Sequence, residues 1–385
     1  PHQKLTAEKR AAEAEIAAAN KSKVNTMVMG DLGNVRKTFV LERGHYEHPL
    51  KEEEIKPGVP AFLPPMTEGA PANRLGLAQW LTRPDHPLTA RVAVNRYWSL
   101  LFGQGIVKSV SDFGTQGAWP THPALLDWLA TDFVKNEWNM KDTFKQIVMS
   151  ATYRQSSKLN RGLYNRDPEN KLIARGPRFR LQGEFVRDNA LAVSGLLVDQ
   201  VGGPGVKPYQ PPGLWNEVSL GGNVRFRQDN GENLYRKSMY TYWKRTGPTP
   251  VMMALDASKR DVCTVRRERT DSPSQALILL NGTQFVEAAR AFADQLIIKH
   301  GTENLVGLIN DAFRQLTSRY PSEKEAIILL QLLSEQKAQF TDAKETEKFL
   351  KVGYYKAKSK DLSHLAAVTT FVSALMNFDE TISKR

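Results

Sequence analysis

The sequence is poor in the residues and motifs that would assign it to a familiar class of enzyme. It contains one cysteine, Cys263, among 385 residues, so it cannot form an internal disulfide and lacks the C-x-x-C-H motif that attaches haem c. It has no run of eighteen apolar residues, so no membrane-spanning helix is expected. The motifs G-x-G-x-x-G and G-x-S-x-G are also absent, and with them the usual dinucleotide fingerprint and nucleophile elbow. We therefore expect this chain to hold no cofactor.

The composition is that of an ordinary globular protein, with 41% apolar and 24% charged residues. The chain opens with PHQKLTAEKR, without an initiator Met or a signal-peptide pattern, so we read it as a piece of a longer protein whose targeting segment lies elsewhere. Cys263 lies near Arg266 and Arg267, which could lower a thiol pKa if they converged on it. A buried structural cysteine is the expected alternative.

Three regions follow one another along the chain. Residues 1–24 are rich in Ala and Glu and predict the helical tail of a preceding module. Residues 25–72 combine short β-friendly pieces with closely spaced prolines, which predict an extended strap across the next domain. Residues 73–385 predict a mainly α domain with a few short β-strands and a Gly/Pro-rich insertion at 200–233.

Apolar residues at helical spacing locate the predicted helices of this domain. One begins with Leu75, Leu77, Ala78 and Leu81, and the stretch Lys237–Lys244 alternates enough to predict a strand. The other predicted helices are Leu125–Phe133 with Thr121 as its cap, Phe144–Ala151, Leu181–Leu196, Ser274–His300, Asn304–Ser318, Ser322–Gln339 and Leu362–Phe378.

Candidate residues for catalysis or metal binding are weak. Asp112 begins a D-F-G triplet, but the other kinase motifs are missing and a structural turn is expected. His45 with His48, or His86 with Asp85 and His122, are the best metal-ligand candidates. Zinc needs three or four convergent ligands, so we expect no metal site, and His122 stays a weak catalytic candidate beside Asp112 and Glu184.

A denser polar cluster occurs at Arg180, Glu184 and Arg187. Residues at i,i+3 and i,i+4 share one flank of a helix, so these three are expected to lie together. Glu184 between two arginines could act as a general acid or base, or could orient the arginines on an anion. A buried ion network is the alternative.

Basic residues are concentrated late in the chain, whose formal net charge is +12. Eleven basic and five acidic residues lie between Arg225 and Arg269, which favours a polyanion or an acidic protein surface as partner. We predict a concave anion-binding surface with an aromatic wall. The alternative is that the aromatic residues pack in the core and the arginines pair with Asp256, Asp261 and Glu268. The predicted surface consists of Arg236, Arg245, Arg266, Arg267 and Arg269, with Tyr242 or Trp243 on its wall.

Long stretches of the chain resemble one family. They include NRYWSLLFGQGIVKSVSDFGTQG (95–117) with WPTHP after it, RLGLAQWLTRPDHPLTARVAVNR (74–96), RLQGEFVRD (180–188), VRRERTDSPSQALILLN (265–281) and LMNFDETI (375–382). They are similar to a C-terminal domain of unknown function, of the DUF1553 type, from planctomycetes and verrucomicrobia. That domain usually closes exported multidomain proteins that begin with cytochrome c-like domains.

The resemblance implies a periplasmic or cell-surface location and cytochrome c-like domains of the same protein as partners, with any haem c on those domains. It also favours an anionic glycan or cell-surface polymer as ligand. Two alternatives stay open: an oxidoreductase-type domain that acts on sugars and passes electrons to fused cytochromes, and a structural docking domain. Nucleic acid is not expected as a partner. The pI of 9.6 is basic, but the sequence contains no nucleic-acid-binding motif.

Overall fold

The structure, a computed structural model, describes residues 2–23, 26–31, 33, 36–218 and 225–385. Part of the predicted insertion, 219–224, lies outside the described residues. The chain divides into two compact units, residues 1–89 and 90–385. The described residues are mainly helical, as predicted, with four short strands in two small sheets. Among them, no helix is both long and apolar enough to cross a membrane.

The described residues of the first unit form two α-helices and a hairpin. Helix α1 (His2–Ser22) is exposed along nearly its whole length. Strands β1 (Thr38–Leu41) and β2 (Pro49–Ile55) pair antiparallel. The proline-rich stretch after β2 has no regular structure up to helix α2 (Arg74–Leu81).

Helix α2 buries a different face from the one predicted. Asn73 caps it through its side-chain oxygen, which accepts from two backbone N–H groups. The inward residues are Gly76 and Trp80, because Trp80 packs edge-on against His86 at 4.5 Å and donates its indole N–H to the carbonyl of Pro64 at 2.7 Å. The predicted leucine face is exposed: Leu75, Leu77 and Leu81.

The second unit has a smaller core and a larger one. The smaller core forms where helices 3 to 5 meet, around Val94, Leu126, Leu129, Phe133 and Ile147. These helices and the two that follow are α3 (Thr89–Phe102), α4 (Pro123–Lys135), α5 (Met140–Met149), α6 (Ala151–Arg154) and α7 (Arg161–Arg166).

The larger core surrounds two central helices, α12 (Thr283–His300) and α16 (Leu362–Met376), which pack along each other with most of their residues buried. Strand β3 (Phe179–Arg180) pairs antiparallel with β4 (Ser383–Lys384). The remaining helices are α8 (Gly183–Val193), α9 (Leu214–Glu217), α10 (Pro250–Ala254), α11 (Pro273–Asn281), α13 (Leu305–Thr317), α14 (Glu323–Gln339), α15 (Ala343–Leu350) and α17 (Asp379–Ile382).

Several predicted elements need correction. The expected helix Ser274–His300 is two helices, because the chain leaves helical geometry at Gly282. The expected helix Phe144–Ala151 is likewise interrupted at Ser150, whose side chain caps α6. Thr121 does not cap α4; its N–H and hydroxyl both donate to the carbonyl of Ile106. Helix α15 was not predicted.

The predicted strand Lys237–Lys244 is wrong. Its backbone forms a short 3-10 helix at Ser238–Tyr240, and Asp188 accepts hydrogen bonds from the N–H and the hydroxyl of Ser238 at 2.8 and 2.7 Å. At its centre, Thr241 forms an isolated parallel bridge with Val206 instead of a ladder. The carboxylate of Asp188 therefore accepts the hydrogen bond that the Ser238 N–H would have donated to a neighbouring strand.

Helix α8 is shorter than predicted and buries another face. Phe185 is 57% exposed, whereas Val186, Ala190 and Leu191 are buried. The inward face also carries Arg187, which is only 3% exposed. The spacing of the apolar residues could not indicate that a charged side chain would face the core.

Candidate anion-binding site

The floor of the candidate site is the loop that follows α3. Gly103 ends the helix with φ +80°, and a Cβ there would lie 2.6 Å from the ring of Phe179. Two residues later, a Cβ on Gly105 would lie 2.5 Å from the carbonyl oxygen of Val107. Asn95, fully buried on α3, donates to that carbonyl at 3.1 Å and accepts from the Val107 N–H at 2.8 Å. Glycine and a buried amide thus fix the loop in one conformation.

The wall of the site is the segment 265–270, which has no regular secondary structure. Nη2 of Arg267 donates to both carboxylate oxygens of Glu184, at 2.8 and 2.7 Å. Nη1 of Arg269 donates to the carbonyl of Gly103 at 2.9 Å, and the N–H of Thr270 donates to Asp256 at 2.7 Å. Charge-assisted hydrogen bonds therefore fix this segment.

Floor and wall enclose a cavity of about 760 Å³, which we call the basic cavity. Its lining includes four basic side chains and one acidic side chain, Glu268. Among the described residues, the ion pairs formed by its basic side chains are those of Lys108 with Glu169 at 2.9 Å and of Arg267 with Glu184. The four basic residues are Lys108, Arg266, Arg267 and Arg269.

Arg269 is the most unusual of these cations. Its guanidinium lies 4.2 Å from the centroid of the Phe179 ring and forms no ion pair with a described residue. Its Nε is buried without a hydrogen-bond partner. Burial holds the pKa of Arg269 below its usual value, and the charge of Arg180 acts in the same direction. A partly desolvated cation without a counter-charge is costly, and an anion in the cavity would supply one.

A second cavity of about 350 Å³ adjoins the first, and we call it the aromatic cavity. Its walls include four aromatic residues and, besides Arg269, four charged ones: Trp98, Phe102, Tyr164 and Phe179, with Glu169, Lys171, Arg175 and Arg178. The two cavities share Gly103, Gln104, Gly105 and Arg269. Arg269 can therefore face a ligand that occupies both.

The predicted anion-binding residues do not form one surface. Arg236, at 2% exposure, is a structural cation: it donates to the carbonyls of Pro204, Gln200 and Gly202. Arg245 is exposed and lines neither cavity. Of the five predicted arginines, the basic cavity brings together Arg266, Arg267 and Arg269.

The predicted aromatic wall also lies elsewhere. Tyr242 packs against Trp215 at 5.7 Å, with Lys207 over its ring at 5.4 Å. Trp243 lies under the guanidinium of Arg260 at 5.0 Å. Neither residue lines the basic or the aromatic cavity, because segment 265–270 turns back towards α3 and β3.

The cluster of Arg180, Glu184 and Arg187 does not share one helix flank. Arg180 lies in β3, before α8 begins, and pairs with Asp256, whereas Glu184 pairs with Arg267. Arg187 points into the core, where it donates to Gln284, to Ser238 and to the carbonyls of Leu234 and Arg236. Burial lowers its pKa to about 10. The three residues therefore have structural roles, each with its own set of partners.

The weak catalytic candidates have structural partners of their own. Asp112 accepts a hydrogen bond from the N–H of Gly114 at 2.8 Å, as expected of a turn. His122 is the residue before α4, with its Nδ1 3.0 Å from the hydroxyl of Thr121. No hydrogen bond or ion pair that the structure gives for these residues joins Asp112, His122 or Glu184 to one another.

The candidate metal ligands are likewise dispersed. The rings of His45 and His48 are 5.9 Å apart, and Nδ1 of His48 is 3.9 Å from Glu42. Nδ1 of His86 accepts from two backbone N–H groups. Across the part of the chain that the structure describes, no three His, Cys, Asp or Glu side chains are grouped to hold a metal. Cys263, expected to be buried, is exposed, because it lies in the irregular stretch before segment 265–270.

Sequence reasoning missed the contribution of the α3 loop to this site. The glycines at 103 and 105 indicate tight turns, which is correct, but the same loop forms the floor of both cavities. Lys108, four residues after Gln104, was a detectable signal because it is a basic residue next to a glycine-rich turn. No local signal indicates that Phe179 would lie under Arg269.

The comparisons with known proteins identify a family but no activity. No curated protein and no solved structure matches the chain. Residues 73–333 match the family described as a protein of unknown function (DUF1553), which agrees with the resemblance seen in the sequence. This match covers the α3 loop, segment 265–270 and more than half of the chain. The chain therefore belongs to the DUF1553 family.

Proposed function

We propose that this protein binds an anionic glycan or a similar cell-surface polymer through the basic cavity. The observation that carries the proposal is Arg269, a partly buried cation without a carboxylate partner among the described residues, at the junction of two cavities. A sulfate or carboxylate group would accept from its free N–H groups and offset the cost of its burial.

The neighbouring charges support the same ligand class. Arg266 forms no ion pair with a described residue and lines the same cavity, and Lys108 is 55% exposed at its edge. A desolvated charge-assisted hydrogen bond contributes about 1.5–3 kcal/mol, and an exposed one about 0–1 kcal/mol. Arg269 would therefore supply most of the affinity, while Arg266 and Lys108 would attract the polymer over a longer range.

We propose that the natural setting is an exported, multidomain, cytochrome c-associated protein of which this is the C-terminal module. The resemblance of the sequence to such C-terminal domains supports this setting. Haem c would then be carried by the cytochrome c-like domains, and an acidic face of those domains would be a second partner of the basic cavity.

Dextran sulfate and uncharged dextran provide a direct test. We expect the full chain to bind dextran sulfate in titration calorimetry at low salt, with an affinity that falls steeply between about 20 and about 200 mM salt because counterions are released. Uncharged dextran should give no heat of binding. Equal affinity for the two polymers, no binding of dextran sulfate, or binding that salt does not weaken would contradict the proposal.

A further inference from the structure

The aromatic cavity has a wall that is built before any ligand arrives. The loop 167–176 has no helix or strand, yet Asp167 accepts from the N–H groups of Lys171 and Leu172 at 2.9 and 2.7 Å. Arg175 donates to the carbonyls of Asp167 and Pro168 at 3.0 and 2.9 Å. These hydrogen bonds within the loop hold it in one conformation without a ligand. Such preorganisation lowers the free-energy cost of ordering a site when a ligand binds.

Asn170 carries an unused acceptor in this loop. Its backbone is left-handed, with φ 54°, a conformation that asparagine tolerates better than most residues. Its side-chain Nδ2 donates to the carbonyl of Arg175 at 2.8 Å, which identifies the other amide atom as the oxygen. That oxygen, Oδ1, is buried and has no hydrogen-bond partner. Buried acceptors are nearly always paired, so a hydroxyl donor would complete this one.

The same cavity presents an aromatic face. Tyr164 is 47% exposed, and two other rings of the lining, Trp98 and Phe102, stack on each other with centroids 4.1 Å apart. The cavity volume of about 350 Å³ is at the lower end of the range of roughly 300–1,000 Å³ that is typical of ligand cavities. It suits one small ring that has an apolar face and a polar edge. An aromatic side chain would cover the apolar face and remove it from water.

We infer that the aromatic cavity is a subsite for one sugar unit of the acidic polymer. In this arrangement, the apolar face of the ring lies on Tyr164 and a ring hydroxyl donates to Oδ1 of Asn170. The acidic group of the unit accepts from Arg269, and the next acidic group along the chain occupies the basic cavity. The inference rests on the proposed function and adds that the ligand is a saccharide, recognised by its hydroxyl groups as well as by its charge.

The test compares two polyanions. Sulfated dextran carries its charge on sugar rings, whereas poly(vinyl sulfate) has a similar charge density without rings or hydroxyl donors. The variants are Tyr164→Ala, which removes the aromatic face, and Asn170→Gly, which removes the acceptor but accommodates the positive φ. Tyr46→Ala, at an 81% exposed tyrosine of the first unit, is the matched control, and thermal melting verifies that each variant is folded.

We expect each of the two cavity variants to weaken binding of sulfated dextran about three- to tenfold, the effect of one hydrogen bond or ring contact. Their affinity for poly(vinyl sulfate) should change less than about twofold on the same scale, as should that of Tyr46→Ala for either polymer. Unchanged affinity for sulfated dextran, or equal losses for both polymers, would overturn the sugar subsite and leave the basic cavity standing. If the unmodified chain bound neither polymer, the proposed function itself would fail.

Discussion

The guanidinium of Arg269 lies 4.2 Å from the centroid of the Phe179 ring, and a Cβ on Gly103 would lie 2.6 Å from an atom of the same ring. One aromatic side chain therefore connects the α3 loop, strand β3 and the basic segment. Because Arg269 also donates to the carbonyl of Gly103, its position depends on both the ring and the loop. Substitutions in the ring or in the loop should therefore alter the position of Arg269 in the anion-binding site.

Gly103→Ala tests that dependence. The substitution forces a left-handed backbone on alanine, at a cost of about 1–2 kcal/mol, and places its Cβ 2.6 Å from Phe179. Gly213→Ala is the matched control, since Gly213 has φ +85° and a Cβ there would meet no atom within 4 Å. In denaturant unfolding, Gly103→Ala should lose more stability than the control, and it alone should weaken dextran sulfate binding. Equal losses of stability in both variants would show that Phe179 moves aside freely.

Glu184→Gln tests the charge balance of the basic cavity. Glu184 neutralises Arg267 through two hydrogen bonds, so its loss leaves Arg267 free for an anion. We expect dextran sulfate to bind about two- to fivefold more tightly, and unfolding to require about 1–2 kcal/mol less, because the pair is only partly buried. The control is Glu8→Gln at an exposed position of α1, outside its first turn, which should change neither quantity. Weaker binding in Glu184→Gln would mean that the carboxylate positions Arg267 more than it competes for it.

Asn95→Ala should destabilise the protein strongly. The fully buried amide satisfies both the N–H and the carbonyl of Val107, itself 3% exposed. Removing it leaves two buried backbone groups unpaired, at a cost of about 2–4 kcal/mol. Asn281→Ala, which removes an exposed side-chain bond to the carbonyl of Leu277, should cost less than about 0.5 kcal/mol. Urea unfolding measures both, and similar values would mean that water reaches the α3 loop.

His364 should make the protein less stable in mild acid. The residue is 3% exposed on α16, and neither ring nitrogen has a hydrogen-bond partner. Burial lowers its pKa and the charge of Lys337 lowers it further, against the smaller opposing effects of Asp361 and Glu303. The unfolded chain therefore takes up the proton first, at about pH 6.5, so stability present above that pH declines as the pH falls towards the lower folded-state pKa.

The comparison is between the unmodified chain, His364→Leu and the exposed-site control His45→Leu, each unfolded in urea at pH 7.5 and pH 5. His364→Leu should show a smaller loss of stability between the two pH values, while His45→Leu should follow the unmodified chain. The same pH dependence in all three proteins would assign the loss to other groups.

The sequence predicted the helices best where apolar periodicity and a cap coincide. Ser322 begins α14 with a complete capping box, and Asp361 caps α16, so both helices were located to within a few residues. Helix faces were harder to predict. Arg187 and Arg236 are almost fully buried because distant backbone carbonyls satisfy their guanidinium groups, and local periodicity contains no information about such partners.

The candidate site could be predicted only in part for the same reason. Arg266, Arg267 and Arg269 are close in sequence and stay together, which the charge pattern indicated. Their partners come from far along the chain: Arg269 contacts the carbonyl of Gly103 at a separation of 166 residues. The aromatic side chains that line a cavity together with Arg269 include Phe179 and Tyr164, and not the predicted Tyr242 or Trp243. Only tertiary packing decides which rings lie near an arginine.

The most direct test of the basic cavity compares Arg269→Ala with Arg245→Ala in calorimetric titrations with dextran sulfate at low salt. Both residues were predicted to bind anions, but only Arg269 lines the cavity, whereas Arg245 is exposed outside it. Loss of a desolvated charge-assisted contact of about 1.5–3 kcal/mol corresponds to a loss of affinity of roughly ten- to a hundredfold. We predict a loss of that size in Arg269→Ala and less than about a twofold change in Arg245→Ala. Unchanged affinity in Arg269→Ala, or equal losses in the two variants, would contradict binding in the basic cavity.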